Sequence, residues 1–434
     1  MSEQQSQRRI VITGIGIFSP IGIGVDEFRK NLLGGMSGVR PTQYYHNTAT
    51  PGGIGGEVLG FDEKSVKKEY LSGKDQRKSL KMMCREIQLG AAAALQALTD
   101  SGIDLEAINH ARLGVEYGAN LMFFDPEGMM DACRAASTDS GDFAFEKWGG
   151  DGLSKMEPLW MLKYLPNMPA CHIAIFTDSR GPNNSVTLDE ASPGVVMTEA
   201  LNILERGAAD MMLVGGTGTR LHPVRAIHAK LFDPLGYDEA HPEASCRPFD
   251  VHRTGQVVGE GAACLMLEEE EHAKARGARI YGRFLSGGSS CVLNEEQQPD
   301  QKQAILNAVG SALRRAGMTT AELGHINAHG LGTEKADRLE AAAYRELLGE
   351  KGVPVTGLKG HFGNAGAATG FFELIGSLLS LKEGQIPKTL NCEEVESDLG
   401  IDVVTGVARA AGNQRFLNVN FTRLGQASAV IVEA

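Results

Sequence analysis

Two short segments carry side chains that could work on a bound substrate. Asn327–Thr333 reads NAHGLGT. A His flanked by Gly where a strand gives way to a loop can bring its ring close to a ligand, although a single His is more often structural. Lys359–Gly370 reads KGHFGNAGAATG. It sets a Lys, an Asn and a glycine-rich turn at the start of a helix that contains Glu373. Small residues there let backbone N–H groups face a ligand. Metal and disulfide chemistry are disfavoured: the seven Cys of the 434 residues include no CxxC pair, which argues against a zinc ribbon or a disulfide scaffold.

The elements that must position these residues alternate between strand and helix. Arg9–Gly14, Leu113–Gly118, Ala209–Gly216, Gly261–Glu268, Ala278–Leu285, Phe416–Asn420 and Ser428–Val432 read as strands. Val25–Leu33, Gln88–Leu98, Val195–Arg206, Lys302–Ala316, Asp337–Leu348 and Thr369–Leu381 read as helices. This alternation predicts an α/β fold with a mostly parallel sheet between helical layers. The order strand, helix, strand starts twice, near Arg9 and near Ala278, so two similar halves are expected, residues 1–268 and 269–434. Residues 120–165 form an irregular insertion crowded with Leu121, Met122, Phe123, Phe124, Met129, Met130, Trp148, Met156, Trp160 and Met161. Core packing is the simplest reading; an apolar lid or dimer surface beside a long-chain ligand is the sharper one.

Lys+Arg 42 against Asp+Glu 54 gives a net charge of −12. Such a chain is a poor non-specific nucleic-acid binder, because phosphate contacts need clustered Lys and Arg. No apolar run approaches the ~20 residues that span a bilayer, and the start, MSEQQSQRRI, lacks the apolar stretch of a signal peptide. A cytoplasmic protein is expected.

Arg247–Gly261 reads RPFDVHRTGQVVGEG, which is too specific for a generic turn. Together with Arg180–Ser185 (RGPNNS), Asn327–Thr333 and Glu268–Tyr281 (EEEEHAKARGARIY), it resembles the β-ketoacyl-acyl-carrier-protein synthase family, elongating type, from Arg9 to Val432. The resemblance implies a thiolase-like fold: two related α/β halves in five αβαβα layers, usually dimeric. In that family a Cys at the start of a buried helix takes an acyl group from acyl carrier protein. Two His bind the malonyl thioester and stabilise the enolate formed when carbon dioxide leaves. The acyl carrier protein supplies the phosphopantetheine arm, so no bound cofactor and no metal are expected.

Against that pattern the chain departs at its centre. Counting forward from Gly181-Pro182-Asn183 places the nucleophile position on Glu190; the closest Cys in sequence are Cys171, in a segment resembling an interface strand, and Cys246. Ser192 is a hydroxyl two residues away, more ordinarily a helix cap. His329 matches the first catalytic His, whereas Asn364 stands where the second belongs, and His361 comes three residues too early. Lys359 and Glu373 match a salt bridge of the family, and Asp337 and Glu340 match its acidic positions after the first His; these four are expected to support the site. In the HGTGT-like loop Leu331 replaces a Thr while Thr333 remains. In the C-terminal gate Leu424 replaces the gating Phe, and Arg423 and Gln426 replace glycines, which should stiffen the loop. Its position suggests that Arg423 approaches Glu190.

A carboxylate accepts an acyl group poorly, because the product is a reactive anhydride. Three readings stay open. The chain is a non-condensing partner subunit, like the chain-length factors of aromatic polyketide systems, in a heterodimer with an active ketosynthase or in a homodimer, with Glu190 plugging the pocket through a salt bridge. It decarboxylates malonyl carrier protein using His329 and Asn364, which calls for a protonated Glu190. Or Glu190 is a general base for condensation without an acyl-enzyme. A simple acyl-binding protein is a further alternative. Lys74, Arg77 and Lys78 resemble the family's basic segment that meets the acidic acyl carrier protein; the same pattern also fits a solvated helix face.

Overall fold

The computed structural model describes residues 8–45, 49–349 and 352–434. The polar start, residues 1–7, lies outside the described residues. Ten strands and eight helices build the frame. In chain order they are β1 (Ile10–Ser19), α1 (Val25–Leu33), α2 (Arg85–Ser101), β2 (Leu113–Ala119), α3 (Met168–Thr177), β3 (Asn183–Val186), α4 (Ser192–Glu205), β4 (Met211–Thr219), α5 (Pro223–Phe232), β5 (Glu260–Glu269), β6 (Gly282–Cys291), α6 (Gln301–Ala316), β7 (His325–Ala328), α7 (Glu334–Leu348), β8 (Val355–Gly357), α8 (Thr369–Lys382), β9 (Arg415–Phe421) and β10 (Gln426–Glu433).

The strand order is β8-β7-β9-β10-β6-β1-β5-β4-β2-β3. Read outward from the centre, β1-β5-β4-β2-β3 and β6-β10-β9-β7-β8 repeat one topology. In each half the first two pairings are antiparallel and the last two parallel. The expected sheet was mixed and mostly parallel; it is mixed, with antiparallel pairings towards its centre. The fifth strand of each half returns beside the first through an antiparallel pairing, which strand–helix alternation alone does not reveal. The halves join where Ile10–Ile12 pair with Gly282–Phe284.

Five layers result. Helices α2 and α3 cover one outer face, α6 and α7 the other, and α4 and α8 lie between the two halves. Three apolar clusters fill the spaces between layers. A helix that is apolar all round must be buried on every side. Helix α8 comes close to this: Thr369 to Leu381 are all buried, and Glu373, the one charge in that span, is paired with Lys359. Strands β1 and β4 are buried along their whole length, as expected where both faces are covered. Close approach fixes some glycines: a Cβ on Gly216 of β4 would lie 2.2 Å from the carbonyl oxygen of Ala367, in the turn leading into α8.

Segment Met168–Thr177, which resembled an interface strand, is helix α3. Its β-branched, apolar run satisfies either state, and packing on α2 and β2 selects the helix. In the insertion, core packing fails for Leu121 and Met161, which are 58% and 63% exposed. The aromatic ring of Phe124 instead meets Trp160 and Tyr164 at the surface.

Gly216→Ala should lower stability by about 1–3 kcal/mol, the usual cost of forcing a methyl into a filled core. Gly412→Ala, with nothing within 4 Å of the new Cβ, should shift it by less than about 0.5 kcal/mol. Denaturant unfolding followed by circular dichroism compares the two.

Candidate functional site

Glu190 sits in the single turn Asp189–Ala191 that opens into α4. Asp189 takes a left-handed conformation, φ 44°, which turns the chain so that Glu190 projects into the middle layer. Ser192, the first residue of α4, accepts a hydrogen bond from Leu188 N at 2.9 Å. Its hydroxyl thus ties the turn together and does not line the cavity described below.

Glu190 is 8% exposed. Its Oε1 takes two donors: Arg220 Nη2 at 2.6 Å and Asn364 Nδ2 at 3.0 Å. Burial by itself would raise the carboxyl pKa, but the attraction of Arg220 and the Asn364 bond outweigh it and leave Glu190 below the ordinary carboxylate value. Glu190 is therefore an ionised carboxylate at neutral pH, with both neighbouring donors on Oε1. Its expected neighbour was Arg423; the ion-pair partner is Arg220, directly after β4. Arg423 instead stacks its guanidinium 3.7 Å from the centroid of Phe232.

Asn364 is also committed. Its other amide proton goes to Gln256 Oε1 at 2.9 Å, and its Oδ1 accepts from Gly366 N at 3.0 Å. Both Nδ2 protons thus have acceptors, one of them a carboxylate.

His329 follows β7. Backbone N–H groups of His329 and Gly330 donate to Glu340 at 2.7 and 2.8 Å, and those of Leu331 and Gly332 donate to Asp337 at 3.0 and 3.1 Å. Two buried carboxylates of α7 thereby hold the loop. Burial pushes Glu340 up to about 7 and Asp337 up to about 6. Lys359 Nζ lies 3.1 Å from His329 Nδ1 and 2.6 Å from Glu373, which also accepts from Asn420 at 2.6 Å. Burial, then Lys359 and Arg220, push the imidazole well below its ordinary value. A Lys donor at Nδ1 puts the proton of a neutral ring on Nε2. The ring packs against Phe421, centroids 4.6 Å apart. His361 is elsewhere: its Nδ1 faces the carbonyl of Met36 at 2.9 Å.

Glu190, Gln256 and His329 border a cavity of about 860 Å³. Leu331, Thr333, Arg423, Leu424 and Gln426 also line it, with Leu121 of the insertion. Thr333 additionally caps α7, and Leu424 is 51% exposed at the mouth. None of the seven cysteines lines this cavity. Lys74, Arg77 and Lys78 lie apart from it, on the surface helix Lys74–Ser79, where Lys78 pairs with Asp75 at 3.0 Å.

Residues 7–273 match the family described as "Beta-ketoacyl synthase, N-terminal domain", and residues 280–393 match "Beta-ketoacyl synthase, C-terminal domain". The chain belongs to the beta-ketoacyl synthase family. Family members serve fatty acid and polyketide biosynthesis. A relative from Vibrio cholerae, "3-oxoacyl-[acyl-carrier-protein] synthase 2", is 31% identical over 98% of this chain and 99% of its own length. The "Oxytetracycline polyketide putative beta-ketoacyl synthase 1" of Streptomyces rimosus is 30% identical over 100% of this chain and 98% of its own. Among solved structures, "The ishigamide ketosynthase/chain length factor" superposes with a TM-score of 0.84 at 26% identity, covering 99% of this chain and 100% of that one. The fold of this ketosynthase-family chain is thiolase-like. Among the described residues, no helix is long and apolar enough to cross a membrane.

Sequence reading missed Arg220 and Gln256. Gln256 lies inside the distinctive RTGQVVGEG run, which offered a signal; Arg220 follows a glycine-rich strand and offered only its charge.

Replacing Arg220 alone strands a buried carboxylate. Arg220→Met should cost up to about 3 kcal/mol, the low end for breaking a buried pair because the cavity gives Glu190 some water. Glu190→Gln/Arg220→Met should regain most of that loss, which a double-mutant cycle in urea measures.

Proposed function

We propose that this chain is a non-condensing ketosynthase subunit, a chain-length-factor-like partner that shapes the acyl tunnel of an active ketosynthase. The observation that carries the proposal is that Glu190, at the head of α4, binds Arg220 and Asn364; the family resemblance assigns its position to the Cys nucleophile. Attack by a carboxylate on a thioester yields a mixed anhydride, and two charge-assisted bonds weaken this one further as nucleophile and as general base. The Ser192 hydroxyl is tied to its own turn. Enolate stabilisation needs two donors, yet Asn364 has none to spare. Of these two, only His329, which borders the cavity, keeps a donor free, its Nε2–H.

The carrier-protein reading rests on separate support. The basic helix Lys74–Ser79 is exposed, and positive charge there steers an acidic partner towards an otherwise acidic chain. The phosphopantetheine arm would come from the carrier protein and enter the 860 Å³ cavity. The protein works in the cytoplasm as one half of a dimer.

Malonyl carrier protein incubated with the purified chain alone should keep its mass, and acyl carrier protein should leave no adduct on the chain; intact-mass spectrometry reads both. Conversion to acetyl carrier protein, lost in His329→Ala, would make the chain a decarboxylase and overturn the proposal. An acyl adduct or a β-ketoacyl product would overturn it in favour of condensation.

Glu190→Cys should not restore full synthase activity in the same assay extended to condensation. Leu331, Asn364 and Leu424 still depart from the family pattern, and Asn364 still lacks the imidazole of the second His. Full condensation by that single variant would contradict this account of the site.

A further inference from the structure

The 860 Å³ cavity has a neighbour. A second cavity, of about 470 Å³, is bordered by Glu86, Met122, Phe123 and three phenols, those of Tyr44, Tyr45 and Tyr164. The two cavities share Leu121 and Arg225 in their walls. These two side chains therefore stand at the passage from one to the other.

Arg225, in the first turn of α5, has its charge already answered. Its Nη2 donates to Asp189, and its guanidinium lies 5.6 Å from the centroid of Phe123. Its Nε, by contrast, is buried and has no hydrogen-bond partner among the described residues. A buried donor left without an acceptor is costly, and such donors are ordinarily completed by protein, water or ligand. Glu86, on the second cavity, poses the same problem. Its two oxygens accept from Asn120 N and Thr219 N, each at 3.2 Å. Burial pushes its carboxyl up to about 8, so at neutral pH it is mostly protonated. Neither of its two bonds uses that proton.

These donors call for neutral acceptors. Asp189 supplies the negative charge at Arg225, so an anion is not needed there. A saturated hydrocarbon chain at this passage would seal the Nε proton from water and offer it nothing in exchange. A chain bearing ketone or hydroxyl oxygens offers it an acceptor.

We propose that Arg225 is a specificity-determining residue. Its Nε–H, at the passage between the two cavities, selects an acyl chain that carries oxygen along its length, a keto- or hydroxyacyl chain, over a saturated one. The inference rests on the reading that the first cavity receives an acyl chain, and it adds which kind.

Equilibrium binding to the purified chain tests the selection. The probes are pantetheine amides, which cannot transfer their acyl group. One carries decanoyl; three others carry the same chain with a single ketone at the fifth, seventh or ninth carbon. At least one ketone probe should bind about tenfold more tightly than the decanoyl probe, the low end for a hydrogen bond from a charged donor. Arg225→Lys keeps a cation for Asp189 and removes Nε, so it should bind all four probes equally. Where that variant does not fold, Arg225→Met/Asp189→Asn, which removes both charges together, should show the same levelling. Equal affinity of the unmodified protein for all four probes overturns the proposal, as does a ketone preference that survives loss of the Arg225 side chain. Failure of every probe to bind overturns it together with the acyl reading on which it rests. The mass assay above is a separate outcome: a condensing enzyme that prefers the ketone refutes only the assigned function, whereas a non-condensing chain indifferent to the ketone refutes only the selection.

Discussion

The pairing of Glu190 with Arg220, buttressed by Asn364, constrains everything around it. An unpaired carboxylate in the middle layer of this fold would be protonated or would destabilise the chain. Arg220 keeps it ionised, and that choice propagates. Asn364 donates to the carboxylate and to Gln256, so it has no proton left for a substrate carbonyl. Arg220 also adds positive charge near His329, which burial and then Lys359 already keep neutral. A cavity of about 860 Å³ adjoins this pair, and Glu190 and Asn364 bond each other, Arg220 and Gln256. That is the state expected of a site that accommodates a chain without acting on it.

The support beneath the site follows from the same fold. Strand β7 and the loop after it are held by Glu340 and Asp337, and Lys359 and Glu373 tie that loop to α8 and β9. These buried charges are costly to create and are each paired or hydrogen-bonded. They preserve the position of His329 whether or not it meets a thioester. A rigid, preserved scaffold with altered residues at the reacting centre accords with a function in binding and assembly.

Much of this was legible in the sequence. The long amphipathic or wholly apolar helices declared themselves: Thr369–Leu381 was expected against Thr369–Lys382 observed, and Lys302–Ala316 against Gln301–Ala316. Glu190, His329 and Asn364 were brought into one site by the family resemblance, not by any local pattern. A short strand such as β8 was not legible, because three residues carry too little periodicity. Nor was α3, an apolar run whose helical state is chosen by its neighbours. The identity of the Glu190 partner was hidden for a similar reason. Arg220 and Arg423 are both single basic residues beside glycine-rich segments, and only the packing of α5 gives Arg423 the face of Phe232 and leaves Arg220 for the carboxylate.

The most direct measurement of the central claim is the ionisation of Glu190 itself. Infrared difference spectra between wild type and Glu190→Gln, recorded at neutral pH and at about pH 5, isolate this carboxyl from the other acids. Its folded pKa lies below the ordinary value of about 4.3 for Glu, so the account predicts the bands of a carboxylate at both pH values. A protonated carboxyl band at either pH would contradict it, because the ion pair with Arg220 would then not hold Glu190 and Asn364 away from chemistry.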